Sequence, residues 1–158
     1  LQRNARQDID IKLDNTKVDT MLELDSTMIS QALTNLIKNA GEAIDTYIEK
    51  QGDVGYAPEI RINVEETGRS TIIQIQDNGI GLPQERRSRL FEPYVTNRAN
   101  GTGLGLSIVK KIIEEHGGTL ELLDAPIFDN NTHIGAMARI VLPTQSQKYN
   151  KVIKTKVA

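Results

Sequence analysis

Four short blocks of polar and glycine residues follow one another along this chain and carry the groups that could do chemistry. They are residues 35–39 (Asn-Leu-Ile-Lys-Asn), 77–81 (Asp-Asn-Gly-Ile-Gly), 91–93 (Phe-Glu-Pro) and 101–105 (Gly-Thr-Gly-Leu-Gly). The blocks supply a polar helix face, a carboxylate before a glycine turn, a movable segment and a glycine-rich loop that opens a helix. Side-chain oxygens bind Mg²⁺, and backbone N–H groups at a helix start bind phosphate. The set predicts a pocket for a nucleoside triphosphate and a divalent metal ion.

Three polar side chains, two in the first block and one three residues after it, share one face of a predicted helix. Asn35, Asn39 and Glu42 stand at positions i, i+4 and i+7, so they line one face that borders the apolar stripe. One interpretation is an ordinary solvated face. The other is a row of oxygens that holds a hard cation, because Mg²⁺ takes only one or two protein ligands and completes its shell with water and substrate phosphates.

Asp77 stands at the end of a predicted strand and is expected to point inward. Residues two apart in a strand share a face, so Ile73, Ile75 and Asp77 lie on the same side. A buried carboxylate needs a partner. Two interpretations are open: an Asx turn at the Asp-Asn-Gly bend, or an acceptor for an exocyclic amine such as that of adenine. In the second, Gly79 and Gly81 let the backbone approach a flat ring.

The glycine-rich block at residues 101–105 precedes a strongly patterned helix but fits neither common nucleotide motif. A Rossmann fingerprint needs a preceding strand, and residues 97–100 are a polar loop. A Walker A loop needs Gly-Lys-Ser/Thr, and Leu106 follows Gly105. The block therefore predicts phosphate binding on another fold.

The segment between the second and fourth blocks has the length of a lid. Residues 82–100 are mostly polar, and such a long loop in a compact domain is usually a lid or disordered. Thr96 and Arg98 lie just before the glycine-rich block, where both are able to reach phosphate oxygens. A plain solubilising role explains Arg98 equally well.

The composition describes one soluble domain. The chain has 158 residues, a net charge of −2, no cysteine and no apolar run near the length of a membrane span. These values exclude disulfides and thiolate metal sites, and they give no sign of a nucleic-acid surface. The chain begins at Leu1 without a methionine, so we expect a fragment. We expect no catalytic role for His116, in a last helical turn, or for His133, in a polar loop.

Alternating and helical patterns predict two helices and two hairpins. The first helix is capped by Asp25 or Ser26 and runs to about Glu49, and the second spans about residues 103–116 before a left-handed cap at Gly117. The second helix is expected to bury Ile108, Val109, Ile112 and Ile113. Predicted strands cover residues 9–13, 21–24, 60–64, 71–77, 119–123 and 136–142.

Helices and antiparallel strands alternate here without a repeating βαβ unit. This order favours an α+β two-layer sandwich over a doubly wound sheet. We expect one domain over residues 1–143 and a polar, lysine-containing, disordered tail over residues 144–158.

The four blocks in this order resemble the catalytic, ATP-binding domain of sensor histidine kinases, in the superfamily that includes gyrase, Hsp90 and MutL. Residues 35–39 resemble the N box, 77–83 the first glycine box, 90–94 the F box and 101–109 the second glycine box. The amino-acid sequences of the F box and the second glycine box are most similar to those of nitrogen-regulation kinases of the NtrY and NtrB type. Related kinases often carry lysine where Arg98 stands.

The resemblance implies the Bergerat ATP-binding fold, a mixed sheet of about five strands against three helices, with ATP and Mg²⁺ bound between the helices and the lid. Asn39 would bind the metal, Asn35 would support metal and phosphates, and Asp77 would receive the adenine amine. Glu42 is a candidate polariser of the attacking group. The remaining residues expected to contact the nucleotide are Gly79, Ile80, Gly81, Leu82, Tyr94, Thr96, Arg98, Gly101, Thr102, Gly103, Leu104, Gly105 and Leu106.

One departure from the wider superfamily bears on the reaction type. ATP-hydrolysing relatives carry a glutamate four residues before the metal-binding asparagine, and this chain has Asn35 there. An amide is no general base, so we expect slow hydrolysis and transfer of the γ-phosphate to an acceptor. Alternatives are an ATPase module like those of gyrase and MutL, a serine kinase of the anti-sigma type, and a nucleotide-sensing interaction module.

The resemblance also implies partners that this chain does not supply. The phosphorylated histidine of the family sits in a separate dimerisation domain, and the phosphate passes on to a response regulator. The fragment is expected to be monomeric and cytoplasmic, and the full-length kinase homodimeric and anchored in a membrane through other segments.

Overall fold

A computed structural model describes residues 9–17, 22–93, 105–129 and 132–144. Within these residues one sheet of five strands has the order β1-β2-β3-β5-β4. β1 pairs in parallel with β2, whereas all other neighbours are antiparallel. The strands are β1 (Asp10–Lys17), β2 (Glu59–Thr67), β3 (Ser70–Asp77), β4 (Thr119–Asp124) and β5 (Ala136–Pro143).

Two α-helices in the described part of the chain cover one face of this sheet. α1 spans Ser26–Gln51 and α2 spans Gly105–Glu115, and a short 3-10 helix, Arg87–Phe91, lies between β3 and α2. The two-layer α+β sandwich is thus confirmed, and the third helix implied by the resemblance is not among the described elements. No described helix has the length and apolarity that a membrane crossing requires.

The ends of both helices follow from local chemistry. The Asp25 carboxylate accepts a hydrogen bond from the N–H of Met28 at 3.0 Å and caps α1. Gly52, with φ of 78°, closes its other end. α2 ends at Glu115, Gly117 follows in the left-handed conformation with φ of 76°, and the Gly118 N–H donates to the Ile113 carbonyl at 2.9 Å. The predicted N-cap and left-handed C-cap are confirmed.

The core is one apolar layer between the helices and the sheet. Its buried members recur every three or four positions in the helices and every second position in the strands. They are Ile29, Ala32, Leu36, Ala40 and Ile44 of α1, Val109, Ile112 and Ile113 of α2, and Ile60, Ile75, Leu120, Ala138, Ile140 and Leu142 of the strands.

Two local predictions were wrong. Of the strand predicted at residues 21–24, the described residues 22–24 form no strand; Leu22 and Leu24 pack on the core as an irregular segment that leads into the cap of α1. A strand needs a hydrogen-bonding neighbour, and the described sheet pairs none with this segment. Ile108 is 37% exposed rather than buried, because α2 turns a narrower face, centred on Val109 and Ile112, toward the core.

The predicted domain end near residue 143 stays a prediction. Thr144 is buried, and its N–H donates to the Arg69 carbonyl at 3.1 Å. The predicted disordered tail otherwise lies outside the described residues.

Candidate functional site

Asp77, the last residue of β3, is the buried acid of this molecule's polar site. Only 5% of it is exposed. Its Oδ1 accepts hydrogen bonds from the N–H groups of Gly79 at 2.9 Å and Ala136 at 3.4 Å. Burial raises the pKa of Asp77 to about 6, and these two hydrogen bonds act in the opposite direction. The described residues offer no hydrogen bond to Oδ2.

The glycine turn after Asp77 rests on the backbone of α1. The Ile80 N–H donates to the Ala43 carbonyl at 3.0 Å. A Cβ on Gly79 would lie 2.5 Å from the Ala43 carbonyl carbon, so only glycine allows this approach. Asn39 stands one helical turn before Ala43 on the same side of α1. The packing therefore places the turn that follows Asp77 about one helical turn away from Asn39.

The amide row itself lies at the edge of the core, as the helical pattern predicted. Asn35, Asn39 and Glu42 are all half-buried. Glu42 has a carboxylate oxygen 4.0 Å from Nζ of Lys38, one turn earlier on α1. The three side chains supply two amides and one carboxylate to the same helix face.

A four-residue segment before and into β5, residues 133–136, lies against the Asp77 turn; we call it the strap. A Cβ on Gly135 would overlap the Asp77 carbonyl oxygen, and a Cβ on Gly81, which has φ of 82°, would lie 2.7 Å from the Ile134 carbonyl oxygen. The Ala136 N–H is one of the two donors to Asp77. Sequence reasoning did not predict the strap, because glycine-alanine pairs occur in many loops.

Aromatic rings anchor the strap at its first residue. His133 stacks on Tyr47 of α1 with ring centroids 4.2 Å apart and an interplanar angle of 9°. Its Nε2 lies 2.8 Å from the carbonyl oxygen of Asn78. The Tyr56 hydroxyl donates to the same carbonyl at 2.8 Å. No local pattern pointed to this cluster, since its members come from α1, two loops and the strap.

The other histidine joins the two helices away from this turn. Nε2 of His116 accepts the N–H of Asp25 at 3.1 Å, and its Nδ1 lies 2.7 Å from the Ile112 carbonyl oxygen. A carbonyl oxygen only accepts, so Nδ1 carries the proton. His116 thus links the end of α2 to the start of α1.

The far side of the predicted pocket is described only in part. Gly105 and Leu106 form the first turn of α2 and are half-buried, as is Leu82, whereas Ile80 is 38% exposed. Phe91 packs against the core, with Nζ of Lys110 4.9 Å from its ring centroid. The predicted contacts Tyr94, Thr96, Arg98, Gly101, Thr102, Gly103 and Leu104 lie outside the described residues.

The donor set of the described site suits a metal ion that arrives with its ligand. Among the described residues no group of three or more His, Cys, Asp or Glu side chains is placed to hold a metal. The half-buried amides of Asn35 and Asn39 fit Mg²⁺, which needs few protein ligands when phosphates supply the rest.

Comparison with known proteins agrees with these features. The family model described as histidine kinase-, DNA gyrase B- and HSP90-like ATPase matches residues 24–146. The nitrogen regulation protein NtrY of Azorhizobium caulinodans is 50% identical over 124 residues, which cover 78% of this chain and 15% of that protein. The sensory histidine kinase/phosphatase NtrB of Rhizobium leguminosarum is 38% identical over 99 residues, covering 58% of this chain and 25% of that protein.

Solved structures give the same picture. The catalytic domain of the histidine kinase ThkA superposes with a TM-score of 0.68 at 31% identity, covering 88% of this chain and 81% of that one. Because the chain spans only 15% and 25% of the length of the two sequence relatives, the likeness concerns one domain of longer proteins. The predicted resemblance is confirmed: the chain belongs to the histidine kinase-, DNA gyrase B- and HSP90-like ATPase family, and its likeness is to the catalytic domains of nitrogen-regulation sensor kinases.

Proposed function

We propose that this chain binds Mg-ATP and donates the γ-phosphate to a histidine on a separate dimerisation domain, for relay to a response regulator. The observation that carries the proposal is the Asp77 carboxylate. It is buried, its Oδ1 is held by two backbone donors, and its Oδ2 receives no hydrogen bond from the described residues. Oδ2 is therefore available to accept a hydrogen bond from a ligand.

Adenine supplies the matching group. Its exocyclic amine can donate a hydrogen bond to Oδ2. Guanine carries a carbonyl oxygen at that position. That oxygen and Oδ2 are both hydrogen-bond acceptors, so they cannot form a hydrogen bond with each other. The same site thus favours ATP over GTP, since a buried polar group left unpaired is what rejects the wrong ligand.

The amide row is proposed to hold the metal. Asn39 would coordinate Mg²⁺ and Asn35 would support the ion and the phosphates, with Glu42 at the end of the row polarising the attacking group. When bound, the ion supplies positive charge that neutralises the phosphate oxygens. The two amides orient the phosphate chain relative to the adenine held at Asp77.

The phosphate side of the pocket is proposed from sequence. Backbone N–H groups of the glycine-rich block and the first turn of α2 would bind the phosphates. Tyr94, Thr96 and Arg98 would close over them, and Arg98 would offer a forked set of donors. The contributing backbone positions are Gly101, Thr102, Gly103, Leu104, Gly105 and Leu106.

Transfer rather than hydrolysis follows from the side chain at position 35. An amide does not accept a proton from water, so Asn35 cannot act as the general base for hydrolysis. The γ-phosphate is therefore transferred to a nucleophile that needs no such base. An imidazole nitrogen of the acceptor can attack the γ-phosphorus; a nitrogen–phosphorus bond forms as the bond to the bridging oxygen breaks and ADP leaves. The relatives named sensor histidine kinases support this assignment.

The direct test supplies the acceptor separately. This chain is mixed with γ-labelled ATP, Mg²⁺ and the purified dimerisation domain of its own kinase. We expect acid-labile label on that domain and negligible free phosphate without it. Steady phosphate release without acceptor would instead indicate an ATPase, and acid-stable label would indicate a serine kinase. A bound but unlabelled acceptor would contradict phosphate transfer.

A second test addresses the metal. Asn39→Ala is expected to abolish the increase in ATP affinity that Mg²⁺ gives, because it removes the proposed ligand oxygen. Titration calorimetry with and without Mg²⁺ measures this. Asn63→Ala makes the same chemical change on β2 and should leave the Mg²⁺ effect intact. An unchanged Mg²⁺ effect in Asn39→Ala would refute the metal assignment.

A further inference from the structure

His133 lies outside the four sequence blocks, yet it joins three parts of the molecule around the Asp77 turn. Its ring is stacked on Tyr47 of α1, and its Nε2 lies 2.8 Å from the carbonyl oxygen of Asn78, the residue after Asp77. A carbonyl oxygen only accepts, so Nε2 carries the proton and donates. The histidine is therefore held by its face and by its edge at once.

The carbonyl on which His133 is anchored is itself immobilised. Asn78 is 2% exposed. Its side-chain oxygen accepts the Glu59 N–H at 2.9 Å, and its side-chain nitrogen donates to the Ala57 carbonyl at 2.8 Å. The Tyr56 hydroxyl donates to the Asn78 carbonyl, and burial raises the pKa of Tyr56, which keeps that hydroxyl protonated as a donor. Asn78 thus ties the turn to the start of β2.

From this anchor the strap runs directly to the Asp77 side chain. Gly135 passes so close to the Asp77 carbonyl that no side chain fits between them. The carbonyl oxygen of Gly135 accepts the Ala125 N–H at 3.0 Å, which holds the strap from its other side. The next residue, Ala136, then places its N–H 3.4 Å from Oδ1 of Asp77.

The orientation of the Asp77 carboxylate depends on this strap. Oδ1 has two donors, from Gly79 on one side and Ala136 on the other. Two donors on one oxygen restrict rotation of the carboxylate plane and leave Oδ2 in a defined direction. With the strap displaced, Gly79 alone holds Oδ1, and the carboxylate can turn away from that direction.

We propose that His133 is a positioning residue for base recognition: through the strap it directs Oδ2 of Asp77 toward the exocyclic amine of adenine. This inference rests on the proposed ATP-binding function and adds a residue that does not touch the nucleotide. Its consequence is specific. Loss of His133 should weaken the contact with the amine and spare the contacts with the phosphates and the ring.

The test compares ATP with purine riboside triphosphate, which has the same ring and phosphates but no exocyclic amine. Calorimetry gives both dissociation constants for the wild-type chain and for His133→Ala. We expect the preference for ATP to fall by roughly tenfold, the size of one lost hydrogen bond, while affinity for the analogue stays within about twofold. His133→Phe keeps a stacked ring without the donor and should show a smaller loss of preference.

The control is the other histidine. His116→Ala removes a link between the helix ends, so it should lower the melting temperature and leave the preference for ATP unchanged. Preference unchanged in both His133 variants, whatever their stability, would overturn the positioning role. If His133→Ala does not fold, His133→Phe alone decides by the same criterion. A wild-type chain that binds ATP and the analogue equally would refute the adenine assignment itself, and the inference with it.

Discussion

The side chain of Asp77 meets two demands, one with each of its carboxylate oxygens. As an Asx turn it accepts the Gly79 N–H through Oδ1, and as a proposed base acceptor it keeps Oδ2 available. The two interpretations of the sequence are therefore compatible, since each uses a different oxygen. Keeping a carboxylate in a buried position for a ligand costs stability in the free protein.

That cost has a definite pH dependence. Burial raises the folded-state pKa of Asp77 to about 6 from the usual 3.8, so the folded chain holds this proton more tightly than the unfolded chain. The stability contributed by the protonated form is fully present below about pH 4 and is lost as the pH rises through 6. Above that range the ionised carboxylate opposes folding.

Asp77→Asn should separate the two demands. Its amide oxygen can keep both backbone donors, and it carries no charge. We expect its free energy of unfolding at pH 7.5 to exceed that of the wild type by about 1 to 3 kcal/mol, with the advantage shrinking toward pH 4.5. Urea denaturation at the two pH values measures this, and an advantage that does not change with pH would contradict it.

The same variant should bind ATP more weakly. With its oxygen on the backbone donors, the amide places its NH₂ where Oδ2 was, and a donor then faces the adenine amine. We expect ATP affinity to fall at least roughly tenfold at pH 7.5, as read by calorimetry. A more stable variant with wild-type ATP affinity would show that Asp77 does not contact the base.

Among the elements, α1 carries Asn35, Asn39 and Glu42 of the candidate site and depends on its first turn. Its N-terminus is held twice, because the Asp25 side chain caps Met28 and the Asp25 N–H donates to His116 at the end of α2. The helix then presents Asn35, Asn39 and the Ala43 carbonyl in successive turns. A helix that frayed from its start would disturb the amide row first.

Asp25→Ala tests the side-chain half of this arrangement. Losing an N-cap side chain costs about 1 kcal/mol of stability, and we expect that loss in urea denaturation with ATP selectivity unchanged. Glu23→Ala, an exposed neighbour outside the helix, is the matched control and should be neutral. Equal stability of the two variants would show that the carboxylate contributes nothing to the helix.

At the scale of the whole molecule, the sheet order brings together residues far apart in sequence. β3 and β5 are neighbours, so the end of β3 at Asp77 meets the start of β5 at Ala136. The strap crosses this junction, and Gly135 is the point where two backbones touch. The arrangement of the candidate site thus depends on the strand order of the sheet as well as on the four sequence blocks.

Gly135→Ala should expose this dependence. The added methyl group would overlap the Asp77 carbonyl oxygen, which must be relieved by moving the strap. We expect a loss of roughly 2 to 4 kcal/mol in urea denaturation. The matched control is Gly68→Ala, which meets nothing within 4 Å and should be neutral or slightly stabilising. Similar effects at both positions would argue against a close junction.

Local patterns in the sequence determined much of this protein's secondary structure. The period of α1, its Asp25 cap, the β2–β3 hairpin and the inward face of Asp77 all depend on neighbours within a few residues, where propensity and alternation act directly. The same patterns misassigned residues 22–24 and Ile108, since the structure there depends on what packs alongside rather than on the residues themselves.

Tertiary structure alone decided how the site is assembled. The parallel pairing of β1, the placement of Ala43 under Gly79 and the strap between His133 and Ala136 all join segments separated by long stretches of chain. Such contacts form only when the sheet closes, and a histidine in a polar loop carries no local sign of the tyrosine it will meet. The sequence therefore predicted the chemical groups of the site, and the packing of β3 against β5 and α1 determined their arrangement.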